Sequence, residues 1–364
     1  MPKIQRMEGT LLSFPLKRPF SNHTHLLTEV HGINLSLSTE SDFGSSFLYG
    51  LQKFSYKKVL EEIKKNIAQP VFQFREDPSF FEQWKMFWAH EKKKNLEQDQ
   101  LYALALVDIA VWDLYLKKIG FSLHEYLGAS QTKIPLYGTS GWLSLSTNEL
   151  LEECHFYAKS GISAFKLRLG HAEDLLRVKA LRDAFGANFI LMADANRRYE
   201  AHKASEIAKE LLPYNLLWIE EPTDSSLFQM EKIKKTCALP VALGENILEE
   251  SDFRSICQKK WTDYLQPDLP RCGGITGFVK AAQIAQEFSV PLCSHLMPQL
   301  SAGLVAAFPH GVWVEQDNLL PEEIFTEKMN IEKGFVIPQE SAGNGVSLTG
   351  EALKKYGTFS EVMG

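Results

Sequence analysis

The sequence predicts an α/β protein, a (β/α)8 barrel of the TIM type that follows an N-terminal α+β region. Two patterns predict the barrel. After residue 130, eight short apolar runs alternate with segments of helical periodicity, as in repeated βα units. Successive runs also end in acidic residues, at intervals of one βα unit. Before residue 128 the periodicity is mixed, which predicts helices together with strand.

The N-terminal region contains one strand pattern and several helical patterns. Residues 30–39 alternate as in a half-buried strand, whereas residues 56–67 and 81–90 have helical spacing. Residues 101–118 form a strongly apolar helical segment, and a further helix is predicted to stop at Gly128. Because no segment rich in Pro, Gly or Ser separates this region from the barrel, we expect the two parts to pack closely.

The predicted barrel strands are the eight apolar runs, and amphipathic segments lie between them. The runs begin at Ile134, Ala164, Phe189, Leu216, Pro240, Asp263, Val290 and Gly311. The amphipathic segments include residues 148–161, 173–186, 204–213, 252–260 and 277–288. Parallel strands joined by crossover helices in this number close into a barrel.

Composition excludes several classes of protein. The chain has 364 residues, 45% of them hydrophobic, which suits a soluble protein of two domains, and its net charge of −6 argues against nucleic acid as a partner. Asp108 and Asp113 interrupt the longest apolar run, and the first residues lack a secretory signal, so we expect a cytoplasmic protein without a membrane span. The five cysteines form no CxxC pair, which predicts neither disulfides nor a zinc site.

Acidic residues at the ends of consecutive runs predict a metal site. Asp194, Glu220, Glu245 and Asp268 are separated by 23 to 26 residues, and His295 and Glu315 end the next two runs. The carboxyl ends of barrel strands meet at one mouth, where enzymes of this fold have their active sites. Three crowded carboxylates repel one another unless a cation neutralises them, and ligands that are all oxygen suit Mg²⁺. We therefore predict one Mg²⁺ held by Asp194, Glu220 and Glu245.

Other residues near the same ends complete a site for acid–base chemistry. Lys166 and Arg168 are two apart on one strand, so they share a face and are predicted to bind a substrate carboxylate. Asn196 is predicted to support the ion or touch substrate, and Glu221 to point away from it. His295 beside Asp268 is predicted to be a general base. A metal, two cations and such a base favour removal of a proton next to a carboxylate, with a small carboxylate as the substrate.

These residues resemble the enolase superfamily, and within it the mandelate racemase subgroup. The motifs that carry the resemblance include SAFKLRLG, LMADANRRY, WIEEP, LGEN, LQPDLPRCGGITG, CSHLMPQLSAGLVAA and VWVEQDNLL. The resemblance implies a capping domain over residues 1–128, a catalytic barrel over residues 129–325, and a C-terminal segment, 326–364, that returns to the cap. It also implies the same three metal ligands, the pair of His295 and Asp268, Glu315 as a hydrogen-bond donor to the substrate carboxylate, and a homo-oligomer.

One departure from the family pattern directs the prediction of the reaction. The KxK motif of the family is here Lys166-Leu167-Arg168, and a guanidinium is a poor base at neutral pH. With His295 as the one evident base, we predict a Mg²⁺-dependent lyase that dehydrates an aldonate or aldarate to a 2-keto-3-deoxy acid. The alternatives are a racemase or epimerase of the same superfamily and a barrel that binds without turnover. Ser140 and His23 are further candidates for substrate contact.

Overall fold

The computed structural model describes residues 3–21, 26–50, 55–74, 80–224 and 226–364. In these residues, eight parallel strands close into a barrel in chain order, because the last strand pairs with the first. The strands are β4 (Ile134–Thr139), β5 (Ala164–Arg168), β6 (Ile190–Asp194), β7 (Leu216–Glu220), β8 (Val241–Leu243), β9 (Tyr264–Leu265), β10 (Leu292–Cys293) and β11 (Gly311–Gln316). Each lies in one of the eight predicted runs, so the predicted barrel is confirmed.

Helices follow the strands around the outside of the barrel, as the amphipathic segments predict. They are α6 (Thr147–Lys159), α7 (Asp174–Phe185), α8 (Ala201–Leu211), α9 (Leu227–Thr236), α10 (Glu250–Gln258), α11 (Leu269–Cys272), α12 (Ile275–Glu287) and α13 (Pro298–Ala306). The start of α6 shows why the sequence folds this way locally. The Ser146 hydroxyl accepts from the backbone of Glu149, and the Glu149 side chain accepts from the backbone of Ser146, so two free N–H groups of the first turn are satisfied.

The N-terminal region is an antiparallel sheet with helices packed on it. Its strands are β1 (Arg6–Ser21), β2 (Leu26–Ser38) and β3 (Phe43–Gly50), of which the alternation at residues 30–39 predicted only β2. The helices are α1 (Tyr56–Glu62), a π-helical turn (Ile63–Ile67), α2 (Ala68–Phe72), α3 (Phe80–Glu91), α4 (Gln98–Ile119) and α5 (Leu123–Tyr126). The predicted helices are thus present, with α4 three residues longer at its start than predicted.

Helix α4 joins the N-terminal region to the barrel. Its side chains are buried on every face from Leu101 to Leu114, because the helix packs on β3 and α1 on one side and on α11 and α12 of the barrel on the other. Two buried carboxylates, Asp108 and Asp113, fix these contacts. Asp108 accepts hydrogen bonds from Thr276 and Trp84, and Asp113 accepts from the backbone of Ser45. The predicted close packing of the two parts is therefore present.

The C-terminal segment runs from the barrel to the N-terminal sheet. A hairpin of β12 (Asn330–Glu332) and β13 (Phe335–Ile337) adds to the edge of β4. After α14 (Gly350–Tyr356), strand β14 (Gly357–Met363) pairs antiparallel with β1, which makes a four-stranded sheet.

The described residues include all the cysteines and the apolar helix that the sequence analysis considered. All five cysteines are free thiols rather than disulfides. No helix of the described residues combines the length and apolar character that a bilayer span requires.

Candidate active site

The three predicted metal ligands converge at the carboxyl ends of the barrel strands. Asp194 and Glu220 are the last residues of β6 and β7 and lie side by side in register. Glu245 follows β8 after Gly244. A Cβ atom at position 244 would lie only 2.8 Å from the backbone of Gln266, so the close approach of the two chain segments requires glycine. One carboxylate oxygen from each acid lies within 4.8 Å of the other two, and all three side chains are buried. Three crowded, desolvated oxygen donors of this kind fit a hard divalent cation such as Mg²⁺.

Lys166 and Arg168 both point into this acidic cluster, as their spacing on β5 predicts. The fully buried Lys166 Nζ lies 2.7 Å from Glu220 Oε1, 2.8 Å from Glu315 Oε1 and 3.7 Å from Asp194 Oδ2. Arg168 Nη1 contacts Asp194 Oδ2. The two cations therefore neutralise the carboxylates directly, beyond the predicted contact with a substrate anion.

His295 lies between two carboxylates. Its Nδ1 is 2.7 Å from Asp268 Oδ2, and its Nε2 is 2.9 Å from Glu245 Oε2. Burial alone lowers the pKa of this imidazole, but the Glu245 charge and the hydrogen bonds to Asp268 and Glu245 together raise the pKa to about 10. The same contact, with help from Arg271 and Lys166, holds the pKa of Glu245 well below its usual range although burial opposes this. In this arrangement His295 is an imidazolium paired with a carboxylate.

Asp268 is fixed by the turn that follows β9. It is the N-cap residue of α11, and its Oδ1 accepts a hydrogen bond from the backbone of Arg271 at 2.9 Å. Its other oxygen is thereby left for His295 Nδ1, which sets the direction of the ring. A carboxylate held in this way keeps a proton on Nδ1 and directs Nε2 into the mouth.

Glu315 of β11 is an acceptor in this arrangement. Its Oε2 accepts from the backbone of Leu296 at 2.8 Å, and its Oε1 contacts Lys166. Burial raises the pKa of this carboxyl, yet Lys166, His295 and Arg168 outweigh burial and lower the pKa to about 2. Donation to a substrate carboxylate, which the family resemblance implies, requires a proton on Glu315 and stays a prediction.

The side chains of Asn196 and Glu221 are directed by the local backbone and not, as predicted, by the alternation of a continuing strand. Strands β6 and β7 end before these residues, whose backbones are left-handed with φ of 45° and 41°, so the pleat does not direct their side chains. Asn196 Nδ2 donates to Asp194 Oδ2 at 3.1 Å. Glu221 Oε1 accepts from the backbone of Gly244, and burial followed by repulsion from Glu245 raises its pKa to about 8. Asn196 therefore supports a predicted metal ligand, and Glu221 supports the turn before Glu245.

Of the remaining candidates, Ser140 is engaged by a neighbouring helix and His23 lies outside the described residues. Ser140 follows β4 and is buried, and its hydroxyl donates to Glu153 Oε2 of α6 at 3.3 Å. Its contact with substrate stays a prediction, as does that of His23.

Arg271 is a residue of the candidate site that the sequence analysis did not name. Its Nη1 donates to the main-chain oxygen of Glu245 at 2.7 Å and to Asn246 Oδ1 at 3.0 Å, while its backbone bonds to Asp268. Through its side chain and its backbone, this one residue thus joins a predicted metal ligand to the partner of the predicted base. The signal was its position three residues after Asp268, which is the spacing of an N-cap residue and its first turn.

Comparisons with known proteins agree with this geometry. The family model described as "Enolase C-terminal domain-like" matches residues 149–352. L-talarate/galactarate dehydratase of Salmonella typhimurium LT2 is 29% identical over 97% of this chain and 90% of that protein. A 3,6-anhydro-α-L-galactonate cycloisomerase of Streptomyces coelicolor is 30% identical over 74% of this chain and 76% of its own length.

A solved structure agrees in the same way. The crystal structure of L-talarate dehydratase from Polaromonas sp. JS666, complexed with Mg and L-glucarate, superimposes with a TM-score of 0.88. It is 28% identical and covers 100% of this chain and 99% of its own. The barrel, the N-terminal sheet region and the returning C-terminal strand are thus found together in a protein that was crystallised with a divalent cation and an acid sugar.

Proposed function

Because this chain belongs to the enolase C-terminal domain-like family and is an enzyme of the enolase superfamily, we propose that it is a Mg²⁺-dependent acid-sugar dehydratase. Its substrate is an aldonate or aldarate, and its product is a 2-keto-3-deoxy acid. The substrate class comes from the relatives, which include dehydratases of acid sugars.

One observation carries the choice of dehydration over epimerisation. Two-base epimerisation uses a base on each face of the α-carbon, whereas elimination needs only one. In the described part of the mouth, His295 with Asp268 is the imidazole–carboxylate pair, and Arg168 stands where a second lysine occurs in the family motif. Arg168 contacts Asp194, and a guanidinium in general binds negative charge and is a poor base.

Each step of the proposed reaction is assigned to a residue of the chain. His295 Nε2, after it has released its proton to solvent and given up its contact with Glu245, takes the α-proton, while Asp268 keeps the proton on Nδ1. The electrons of the α C–H bond first move onto the substrate carboxylate as an enediolate. They then return to form a C2–C3 double bond as the C3–O bond breaks, and the imidazolium gives its proton to the departing hydroxyl, which leaves as water. The resulting enol takes up a solvent proton at C3 and releases the proton of its C2 hydroxyl, which gives the 2-keto acid. Lys166 faces the negative charge that grows on the substrate carboxylate during proton removal.

Asp194, Glu220 and Glu245 would hold the Mg²⁺. The ion, when bound, supplies Lewis-acid stabilisation of negative charge on the substrate carboxylate. We also propose that residues 1–128 form a cap over the mouth, that residues 129–325 form the catalytic barrel, and that residues 326–364 return to the cap. A homo-oligomer and contacts of His23 and Ser140 with substrate belong to the same proposal.

A substrate panel tests the proposed function. The protein is incubated with aldonates and aldarates in Mg²⁺ or in EDTA, in D₂O, and 2-keto acids are assayed. We expect a 2-keto-3-deoxy acid that carries deuterium at C3, formed only with Mg²⁺. Deuterium at C2 of recovered substrate with both configurations present, and no keto acid, would select an epimerase. No product and no exchange across the panel would refute both reactions.

A further inference from the structure

A stack of three side chains connects the N-terminal sheet to the mouth of the barrel. Phe20 of β1 stacks on Trp142, which follows β4, with 4.0 Å between ring centroids and 18° between planes. On Trp142 lies the guanidinium of Arg168, whose Cζ is 4.9 Å from the ring centroid. All three side chains are buried. The stack therefore runs from the sheet through the barrel loop to the cation that contacts Asp194.

The backbone around Trp142 is fixed from both sides. From the sheet side, Ser21 accepts a hydrogen bond from the backbone of Leu143 at 3.0 Å and donates its own N–H to Ser144 Oγ at 3.1 Å. From the barrel side, the fully buried Arg177 donates Nη2 to the main-chain oxygens of Gly141 and Trp142 at 3.0 and 3.1 Å. The backbone of Trp142 is thus held from two sides, and its ring stacks on Phe20.

Arg168 has few other restraints. Its Nη1 contacts Asp194, but its Nε is buried and has no hydrogen-bond partner. A long side chain with a single ion pair keeps rotational freedom, and an aromatic face restricts the plane of a guanidinium. The ring of Trp142 offers such a face, with its centroid 4.9 Å from Arg168 Cζ.

We propose that Trp142 is a positioning residue, which holds the Arg168 guanidinium in the mouth and makes its position depend on the docking of Phe20. The role differs from substrate contact, because Trp142 acts through Arg168. In its kinetic part the inference rests on the proposed function, whereas its structural part concerns only Trp142, Arg168 and Phe20.

A set of matched variants tests the kinetic part. Trp142→Leu removes the aromatic face, Trp142→Phe keeps it, and Trp261→Leu is the control. Trp261 has the same 7% exposure as Trp142 and also lies beneath a cation, Lys259, but it precedes β9 at the opposite end of the barrel. We expect Trp142→Leu to lower kcat by about 10- to 30-fold with a smaller change in KM. Trp142→Phe keeps an aromatic face, and its kcat should lie within about threefold of the wild-type value. The control should retain the kcat of the wild type.

A double-mutant cycle separates positioning from packing. In an Arg168→Met background the guanidinium is absent, so Trp142→Leu should lower kcat by less than about twofold more. If Trp142→Leu costs the same factor with and without Arg168, the residue acts by packing alone and the proposal is overturned. Phe20→Leu, expected to lower kcat about threefold and to show the same dependence on Arg168, serves as a second variant should Trp142→Leu fail to fold.

Crystal structures of the Trp142→Leu and Phe20→Leu variants test the structural part without any assay of turnover. We expect the Arg168 guanidinium to leave its present position beside Asp194 in Trp142→Leu. A guanidinium that stays in place in both variants would overturn the proposal. If the wild-type protein turns over no acid sugar, the proposed function fails, and the structures still decide the role of Trp142.

Discussion

Replacement of Lys166 by Met removes the central cation of the site and keeps most of its apolar stem. In the wild-type protein the ammonium is fully buried and lies within 2.8 Å of both Glu220 and Glu315. After the substitution each of these carboxylates keeps one neutral donor, Gln266 Nε2 for Glu220 and the backbone of Leu296 for Glu315. Loss of one partner of a buried ion pair costs about 3–5 kcal/mol, so we expect a decrease of that size in the free energy of unfolding.

Urea unfolding in EDTA and in Mg²⁺ measures this effect. The matched control is Lys234→Met, because Lys234 pairs with Asp263 at 2.5 Å but both side chains are about one-third exposed. A surface pair of that kind contributes about 0–1 kcal/mol. Mg²⁺ at a hundredfold excess over its Kd stabilises a folded protein by about 2.7 kcal/mol, and it should bind the Lys166 variant more tightly because no ammonium competes for the carboxylates. The difference in free energy of unfolding between the wild type and Lys166→Met should therefore be smaller in Mg²⁺ than in EDTA. Equal stability of the two Lys→Met variants in EDTA would refute the role of Lys166 as the neutralising cation.

Three further substitutions test the proposed base His295, the buried carboxyl of Asp108 and the loop that follows β4. His295→Asn should lower kcat by about 10²- to 10⁴-fold, while calorimetry should still detect Mg²⁺ binding. The control is His310→Asn, which should retain turnover, because His310 is half-buried and bonded to the Ala282 carbonyl. If His295→Asn keeps more than a tenth of the wild-type kcat, His295 is not the base. Burial raises the pKa of Asp108 from 3.8 to about 7, so the folded state favours its protonated form, and the resulting stabilisation is complete below pH 4 and lost as the pH rises to about 7. Urea unfolding should show this loss of about 3–4 kcal/mol in the wild type and not in Asp108→Asn, and parallel pH profiles of the two proteins would contradict the raised pKa. Arg177→Met removes the charged donor from the carbonyls of Gly141 and Trp142, which keep only the backbone N–H groups of Arg168 and Leu145. Two hydrogen bonds from a charged group at about 1.5 kcal/mol each should reduce the free energy of unfolding by about 3 kcal/mol; a change below about 1 kcal/mol would mean that water replaces the guanidinium.

The barrel could be predicted from the sequence because its rules are local. Each buried parallel strand is a short apolar run, and each crossover helix has its own period, so the order of elements gives the topology. The position of the acids at the strand ends then follows from the fold, which is why Asp194, Glu220 and Glu245 could be named before any geometry was known.

The N-terminal sheet was harder to predict because one of its strands is buried on both faces. Strand β3 has the sequence FGSSFLYG, whose small residues do not alternate with polar ones. Gly44 lies against the backbone of Ala110, and the Ser46 hydroxyl donates to the Leu106 carbonyl, both in α4. The strand exists because α4 covers it, and that contact between residues some 60 positions apart leaves no periodic pattern in the sequence.

Side-chain directions beyond the strand ends could not be predicted for a related reason. The pleat rule places Lys166 and Arg168 correctly because both lie within β5. It does not apply to Asn196 and Glu221, whose left-handed backbones direct the side chains by local geometry. The contact between His295 and Glu245 depends on two such loops and is visible only in three dimensions.

The charges of the mouth connect the predicted metal to the predicted base. Five ion-paired carboxylates of the described residues face three permanent cations, which leaves two negative charges without a permanent partner. The carboxylates are Asp194, Glu220, Glu245, Asp268 and Glu315, and the cations are Lys166, Arg168 and Arg271. A proton on His295 compensates one of these two charges. The neighbouring carboxylates Glu245 and Asp268 favour this proton and so raise the pKa of His295. A divalent cation held by Asp194, Glu220 and Glu245 would balance both charges and would remove the electrostatic reason for the proton. The site can then hold His295 as the neutral imidazole that proton removal requires, and the same three acids that predict a metal also determine when the base is available.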